Sequence, residues 1–431
     1  MDDSKLLSLK QSLQTVEETE QLISFLEAQE TFSFPALKNG LFPAAIAHES
    51  TGYQSIWVRD NIHVAHALYA VGNEGPACKA MTTLTDYFIK HRDRFDDIIS
   101  GKTKAAEVMK RPHIRFDGTT LGEIDEKWAH AQNDALGYYL WFYSLLLLQG
   151  KLTPTHDSLE LLAAFVRYFE KIRFWEDADS GHWEEARKVE ASSIGTVVAG
   201  LITLKQYLDQ SENWSQFSFG KKQVPAGMVE ALIQQGQTTL SQILPAECVQ
   251  PDPLLARKYD GALLFLIYPL GLIQGDLAET IMQDVKTHLM GEYGIRRYLG
   301  DSYWCADYKE MFSEDDRTSD FSEDQGSRDK LLKPGQEAQW CIFDSILSVI
   351  YGQRFLQSEK SDDYENQRLH LDRALNQLTS HESSFGAYRC PESYYLEKGK
   401  YVPNDITPLL WTQGNLIMAL HQWKQTVKTR G

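Results

Sequence analysis

Apolar positions along this chain recur at intervals of three and four far more often than of two, the spacing that gathers them on one face of an α-helix. About twelve segments carry the pattern, at 5–29, 57–71, 76–92, 128–149, 156–173, 190–209, 225–243, 260–273, 276–290, 336–355, 363–380 and 407–427. Few stretches alternate as a strand requires. The segments are of two kinds: 135–148 and 261–273 are apolar nearly all round, as inner helices are, whereas 159–169 carries charge on one face, as outer helices do. The pattern predicts an all-α fold of two concentric layers. No repeat is visible in the sequence, which argues against a regular solenoid.

Between the helices lie long connections at about 32–56, 95–127, 174–189, 291–335 and 381–406. Connections of more than about 15 residues are usually functional or disordered. One part of the fourth, SEDDRTSDFSEDQGSRDK at 313–330, has the composition of a flexible, solvated insert or mobile flap and is not expected to contribute to a site. The expectation is a single domain over residues 1–431 with that insert.

Composition changes the picture in three ways. At 42% hydrophobic and 24% charged the 431 residues are globular in character, and a net charge of −17 repels phosphate backbones, which argues against nucleic acid as a partner. Ten tryptophans and twenty tyrosines supply flat apolar faces with polar tips, suited to sugar rings as well as to a core. The acidic, amphipathic start lacks the pattern of a secretory signal and no run approaches 18 apolar residues, so the expected location is cytoplasmic, with no membrane partner.

Metal and cofactor chemistry find little support. Five scattered cysteines (Cys78, Cys248, Cys305, Cys341 and Cys390) form no close pair and read as reduced structural thiols. His63 and His66 share a predicted helix face, but no third ligand accompanies them, and HExxH, GxSxG, a Walker loop and GxGxxG after a strand are all absent. No metal and no cofactor are expected.

What remains is four clusters of aromatic and charged residues, each ahead of a predicted helix, where a rigid scaffold would hold functional loops. The first runs Tyr53, Trp57, Arg59, Asp60, Asn61. Arg and Asp at a helix start can grip sugar hydroxyls, the one donating and the other accepting, or they can form a cap with an exposed ion pair. The second, Trp128, His130, Gln132, Asn133 and Asp134, opens the most apolar helix, where dense polar groups need partners: a hydrogen-bonding pocket or a buried structural network. The third is FWEDADSGHWEEARKVEASSIG at 174–195, and the fourth is Pro391, Glu392, Ser393, Tyr394, Tyr395. Glycoside hydrolysis needs two carboxyl groups, one protonated and one ionised, and Glu184 and Glu392 stand as candidates against the plainer reading of two solvated carboxylates.

Taken in order, these clusters resemble glycoside hydrolase family 15, the glucoamylase family, and the related amino-terminal domain of the phosphorylase kinase alpha and beta subunits. The resemblance spans about 53–423. Tyr53 with Trp57, Arg59 and Asp60 is similar to the family's first-subsite pattern; Trp128, Gln132 and Asp134 resemble its Trp-x-x-x-Gln-x-Asp; and Trp183, Glu184 and Glu185 resemble its Trp-Glu-Glu, in which the first Glu is the general acid. Arg297, Tyr298 and Asp301 resemble its Arg-Tyr-x-x-Asp, and Pro391, Glu392 and Ser393 its catalytic-base loop. Glu190 to Gly195, Glu337 to Trp340 and Leu410 to Gly414 look more like the kinase-subunit branch.

The resemblance implies an (α/α)6 barrel and an inverting hydrolysis of α-glucosides that releases β-glucose. Glu184 would be the acid and Glu392 the base, with Tyr53, Trp57, Arg59, Asp60, Trp128, Gln132, Asp134, Trp183, Glu185 and Arg297 around the substrate. With no starch-binding module or long carboxy-terminal extension in the sequence, the expected ligands are malto- or isomalto-oligosaccharides or glycogen-type ends. The alternative is a non-hydrolytic, carbohydrate-binding regulatory protein, its protein partners open. A carboxyl raised by the Trp183 wall and by neighbouring Glu185 is the expected state of Glu184.

Overall fold

The computed structural model describes residues 4–45, 55–211 and 213–430, and the expectation for Tyr53 lies outside them. Sixteen α-helices occur among these residues: α1 (Ser4–Gln11), α2 (Val16–Ala28), α3 (Val58–Ala70), α4 (Glu74–Lys90), α5 (Asp93–Ser100), α6 (Asn133–Leu148), α7 (His156–Ile172), α8 (Ala191–Ser211), α9 (Ala226–Ile243), α10 (Leu263–Ile267), α11 (Gly275–Asp284), α12 (Tyr308–Met311), α13 (Gln325–Asp329), α14 (Phe343–Ser358), α15 (Ser361–Asn376) and α16 (Leu410–Arg430).

Six of them close a ring. α3 packs on α6, α6 on α8, α8 on α10, α10 on α14, α14 on α16, and α16 returns to α3. Outside it, α2 covers α16, α4 covers α3, α7 covers α6, α9 covers α8, α11 covers α10 and α15 covers α14. Apart from α1, α5, α12 and α13, the chain alternates outer and inner helix, which is the (α/α)6 barrel. The two compositions explain the layers: α6 is buried over nearly its whole length, while α7 buries one stripe and turns charge outward.

The ring is tightest between α6 and α8. A Cβ added at Gly137 would lie 2.7 Å from the backbone of Thr196 and Val197, and one at Gly200 would lie 2.9 Å from the carbonyl oxygen of Gly137. Only glycine lets the two backbones approach so closely.

Most predicted helices occur within a few residues of their expected ends, and the differences have local causes. The 5–29 segment splits because Thr15 forms a capping box with Glu18 and starts α2 afresh. The 260–273 segment yields only the short α10, since Pro269 cannot continue a helix. The 128–149 segment begins at Asn133, with Trp128 to Gln132 left non-helical, and α5 falls inside a stretch expected to be a loop. No described helix is long and apolar enough to cross a membrane.

Candidate active site

The inner helices α3, α6, α8, α14 and α16 begin beside one cavity, and Asp260, ahead of the sixth, α10, accepts from the Trp183 indole N–H on its wall at 2.9 Å. The amino-terminal N–H groups thus gather at one end of the barrel, where their field favours carboxylates. A cavity of about 300 Å³ opens there, lined by side chains that precede or begin these helices: Trp57, Arg59 and Asp60 at α3, Trp128 ahead of α6, Trp183 and Glu184 ahead of α8, Trp340 ahead of α14, and Leu409 and Trp411 at α16. Glu392 and Arg297 complete the wall.

Glu184 sits on the connection between α7 and α8. That segment folds back on itself through reciprocal backbone bonds between Asp179 and Lys188, at 2.9 and 2.8 Å, and Ser180 N–H anchors it to the Ala131 carbonyl at 2.7 Å. At the tip, Glu184 takes a left-handed φ of 57°, an uncommon and strained state for a side-chain-bearing residue. Its Oε1 accepts from the indole N–H of Trp57 at 3.0 Å, from the Gln132 amide at 3.1 Å and from Arg59 at 3.4 Å. Burial raises the Glu184 carboxyl; Arg59 opposes the shift, and the charge of Asp320 adds to it.

Arg59 is held in turn. One of its terminal nitrogens donates to both Gln132 Oε1 and Asp134 Oδ2 at 2.9 Å, and neither Gln132 nor Asp134 lies on the cavity wall. Both were expected around the substrate; the structure places them one layer back, orienting Arg59 and Glu184. Asp60, next in sequence, does line the cavity, and burial pushes its carboxyl up to about 6 against the pull of Arg59.

Glu185, likewise expected near the substrate, points away from the cavity into a buried ion network. Its carboxylate accepts from Arg257 at 2.6 Å and from the Tyr298 hydroxyl, with Lys188 and Arg297 each 3.7 Å away. Those cations hold it ionised, well below the usual carboxylate range despite its burial. The charge that lifts Glu184 therefore comes from Asp320 rather than from its sequence neighbour. Deeper in the network burial pushes Glu190 up to about 8, and Glu247 is also raised.

Glu392 stands immediately before the strand Ser393–Glu397, which pairs with Lys400–Pro403 and with Gln339–Trp340. The backbone of Glu392 bonds to Ile406 and Cys341, and its Oε2 accepts from the Asn404 amide at 2.6 Å. Aromatic parts of the cavity wall carry cations: Arg115 lies 4.1 Å from the Trp128 ring and 5.2 Å from Trp57, and Arg297 lies within about 5 Å of Trp183, Tyr303 and Trp340 while bonding Asp301 twice, at 2.6 and 2.7 Å.

The sequence profile of the glycosyl hydrolases family 15 matches residues 28–401. The chain belongs to that family. The alpha regulatory subunit of rabbit (Oryctolagus cuniculus) skeletal-muscle phosphorylase b kinase is 26% identical over 295 residues, covering 61% of this chain and 22% of that protein. The chain thus matches about a fifth of the length of these kinase regulatory subunits. Among solved structures, a glycosidase in complex with glucose superposes with a TM-score of 0.64 at 18% identity, over 98% of this chain and 99% of the other. The glucoamylase from Saccharomycopsis fibuligera superposes with a TM-score of 0.60 at 13% identity, over 96% of each chain.

Within this family 15 barrel, several cavity residues were not among the expected site residues. Trp340 and Trp411 were visible only as parts of larger motifs. His182 lay within the third cluster without being singled out, Tyr303 carried no motif, and Thr318, Ser319, Asp320, Phe321 and Arg328 belong to the segment read as a solvated insert. That reading is corrected: the 313–330 segment forms part of the cavity wall. Its acidic composition gave the opposite signal, because a polar wall facing a polar ligand looks in sequence like a solvated loop. His63 and His66 turn out to be buried core groups beneath the cavity, His63 stacked on Trp411 at 4.2 Å. Among the described residues no group of three His, Cys, Asp or Glu is placed to hold a metal ion.

Proposed function

We propose that this protein hydrolyses α-glucosides with inversion, Glu184 acting as general acid and Glu392 as general base, and releases β-glucose. The observation that carries the reading is the donor set around Glu184 in a cavity whose wall also holds Glu392. Three donors converge on Oε1, so the proton of the acid form resides on Oε2, and burial together with Asp320 favours that form. As the glycosidic oxygen takes the proton, negative charge grows on Glu184. The same three donors then stabilise it, an interaction stronger in the transition state than in the ground state.

Glu392 suits the complementary role. The Asn404 amide fixes its Oε2, while its place on the cavity wall lets it draw a proton from a water attacking the anomeric carbon. Inversion requires that water to fit between the carboxylate and the sugar. Arg59 and Asp60 offer a donor fork and an acceptor to the hydroxyls of the non-reducing glucose, and Trp57, Trp128 and Trp411 offer it flat faces.

The deciding experiment is glucose release from maltose and isomaltose, with the anomer read by NMR. The expected product is β-glucose, abolished by Glu184→Gln and by Glu392→Gln. Turnover that survives both substitutions refutes the assignment. The likeness to a kinase regulatory subunit favours one other reading, a sugar sensor, which predicts saturable glucoside binding without any turnover.

A further inference from the structure

The 313–330 segment does more than line the cavity: it ties the rim together. Glu323 pairs with Lys127 from the connection ahead of α6. The Gln325 side chain accepts from the backbone N–H of Ala186, two residues beyond Glu184, at 2.9 Å and donates to the Tyr298 hydroxyl at 3.4 Å. Arg317 donates to Asp405 on the Glu392 side at 3.0 Å, and Arg328 is buried with its Nε on Ser302 at 3.0 Å and its guanidinium between the Tyr303 and Phe321 rings. The segment therefore reaches both catalytic-carboxyl connections at once. The Lys127–Glu323 pair is exposed and screened by solvent, so the inner bonds set the position of the segment.

The residues it brings to the cavity are an acceptor (Asp320), a donor fork (Arg328), two hydroxyls (Thr318 and Ser319) and a flat apolar face (Phe321). This is a sugar-binding set in its own right, separate from Arg59, Asp60, Trp57 and Trp128. The Gln325–Ala186 bond holds this set beside the Glu184 connection, the side where a leaving group takes the proton.

We propose that Asp320, Phe321 and Arg328 bind the leaving-group sugar, and that the segment, by walling one side of the cavity, restricts the substrate to short α-glucosides whose leaving group is one or two sugar units. The assignment rests on the hydrolase reading and narrows its substrate from polymer ends to soluble oligosaccharides. A cavity of about 300 Å³ is at the small end for ligand sites, and the ties from Gln325 and Arg317 hold the segment against the connections on both sides of it.

The test compares a disaccharide with α-glucosyl fluoride, whose leaving group makes no sugar contacts. In Asp320→Asn and Phe321→Ala, compared at a pH where Glu184 stays protonated in each, the ratio of kcat/KM for disaccharide over fluoride is expected to fall about 10-fold, as the loss of about 1.4 kcal/mol of leaving-group binding requires. With the unaltered protein, kcat/KM is expected to fall as the oligosaccharide lengthens from two units to seven. An unchanged ratio in both variants, or glycogen ends cleaved as efficiently as the disaccharide, overturns this assignment and leaves the hydrolase reading standing. No release from either the fluoride or the disaccharide overturns the hydrolase reading, and this assignment with it.

Discussion

The indole N–H of Trp57 donates to Glu184 Oε1 at 3.0 Å, joining the first residue cluster of the chain to the third across 127 positions of sequence. The bond fixes which oxygen of Glu184 carries a proton and supplies a donor to the carboxylate left when that proton is gone. Trp57→Phe keeps the ring and removes the donor. A hydrogen bond to a charged group contributes about 1.5–3 kcal/mol, so kcat is expected to fall about 10- to 100-fold. KM should change little, because the ring remains on the cavity wall; steady-state kinetics on one disaccharide checks both.

The alkaline limb of the pH–rate profile reports loss of the acid's proton. Burial raises Glu184, with Arg59 and Arg115 opposing and Asp320 assisting. The limb is expected above the pH of an ordinary glutamate. Replacing Asp320 by Asn removes an adjacent negative charge, makes ionisation of Glu184 easier, and should move the limb to lower pH. A limb that stays in place or rises refutes the electrostatic account.

Gly137 separates α6 from α8, and a side chain there has no space. Gly137→Val is expected to lower stability by about 1–3 kcal/mol or more through overpacking of the inner ring. Chemical denaturation measures it. A variant as stable as the parent would mean that the two helices can move apart at little cost.

Stability should also respond to the buried network behind the site. The folded state holds the Glu190 proton up to about pH 8, whereas the unfolded chain releases it near the ordinary value of 4.5. Between those values the folded state binds more protons, so this group's contribution falls as pH rises, by as much as about 1.4 kcal/mol per pH unit. Glu190→Gln removes that titration. Its unfolding free energy, followed by urea titration from about pH 5 to about pH 8, is expected to decline less steeply than that of the parent. Parallel declines would place the proton elsewhere, with Glu247 the next candidate.

Much of the site was legible because its residue types have few other reasons to occur together. Trp57, Arg59 and Asp60 ahead of an apolar helix, and Trp183 with Glu184 in a turn-rich connection, pointed to the cavity wall where they stand. Glu185 misled because adjacency in sequence says nothing of direction: in the tight turn at Glu184 successive side chains diverge, one toward the cavity and the next toward Arg257. Asn404 gave no signal at all, being one amide in a turn, and its importance lies only in reaching Glu392.

The sequence by itself determined the helical class, the two layers and the positions of the functional connections, because all three follow from local periodicity and composition that each segment carries independently of the rest. Tertiary structure alone decided which side chains face the cavity, which oxygen of Glu184 is held, and that the acidic 313–330 segment is a wall rather than a solvated loop. Those outcomes depend on bonds between residues tens to hundreds of positions apart, such as Trp57 with Glu184 and Gln325 with Ala186. Such pairings arise only when the ring of six inner helices closes and brings their amino-terminal ends to one face.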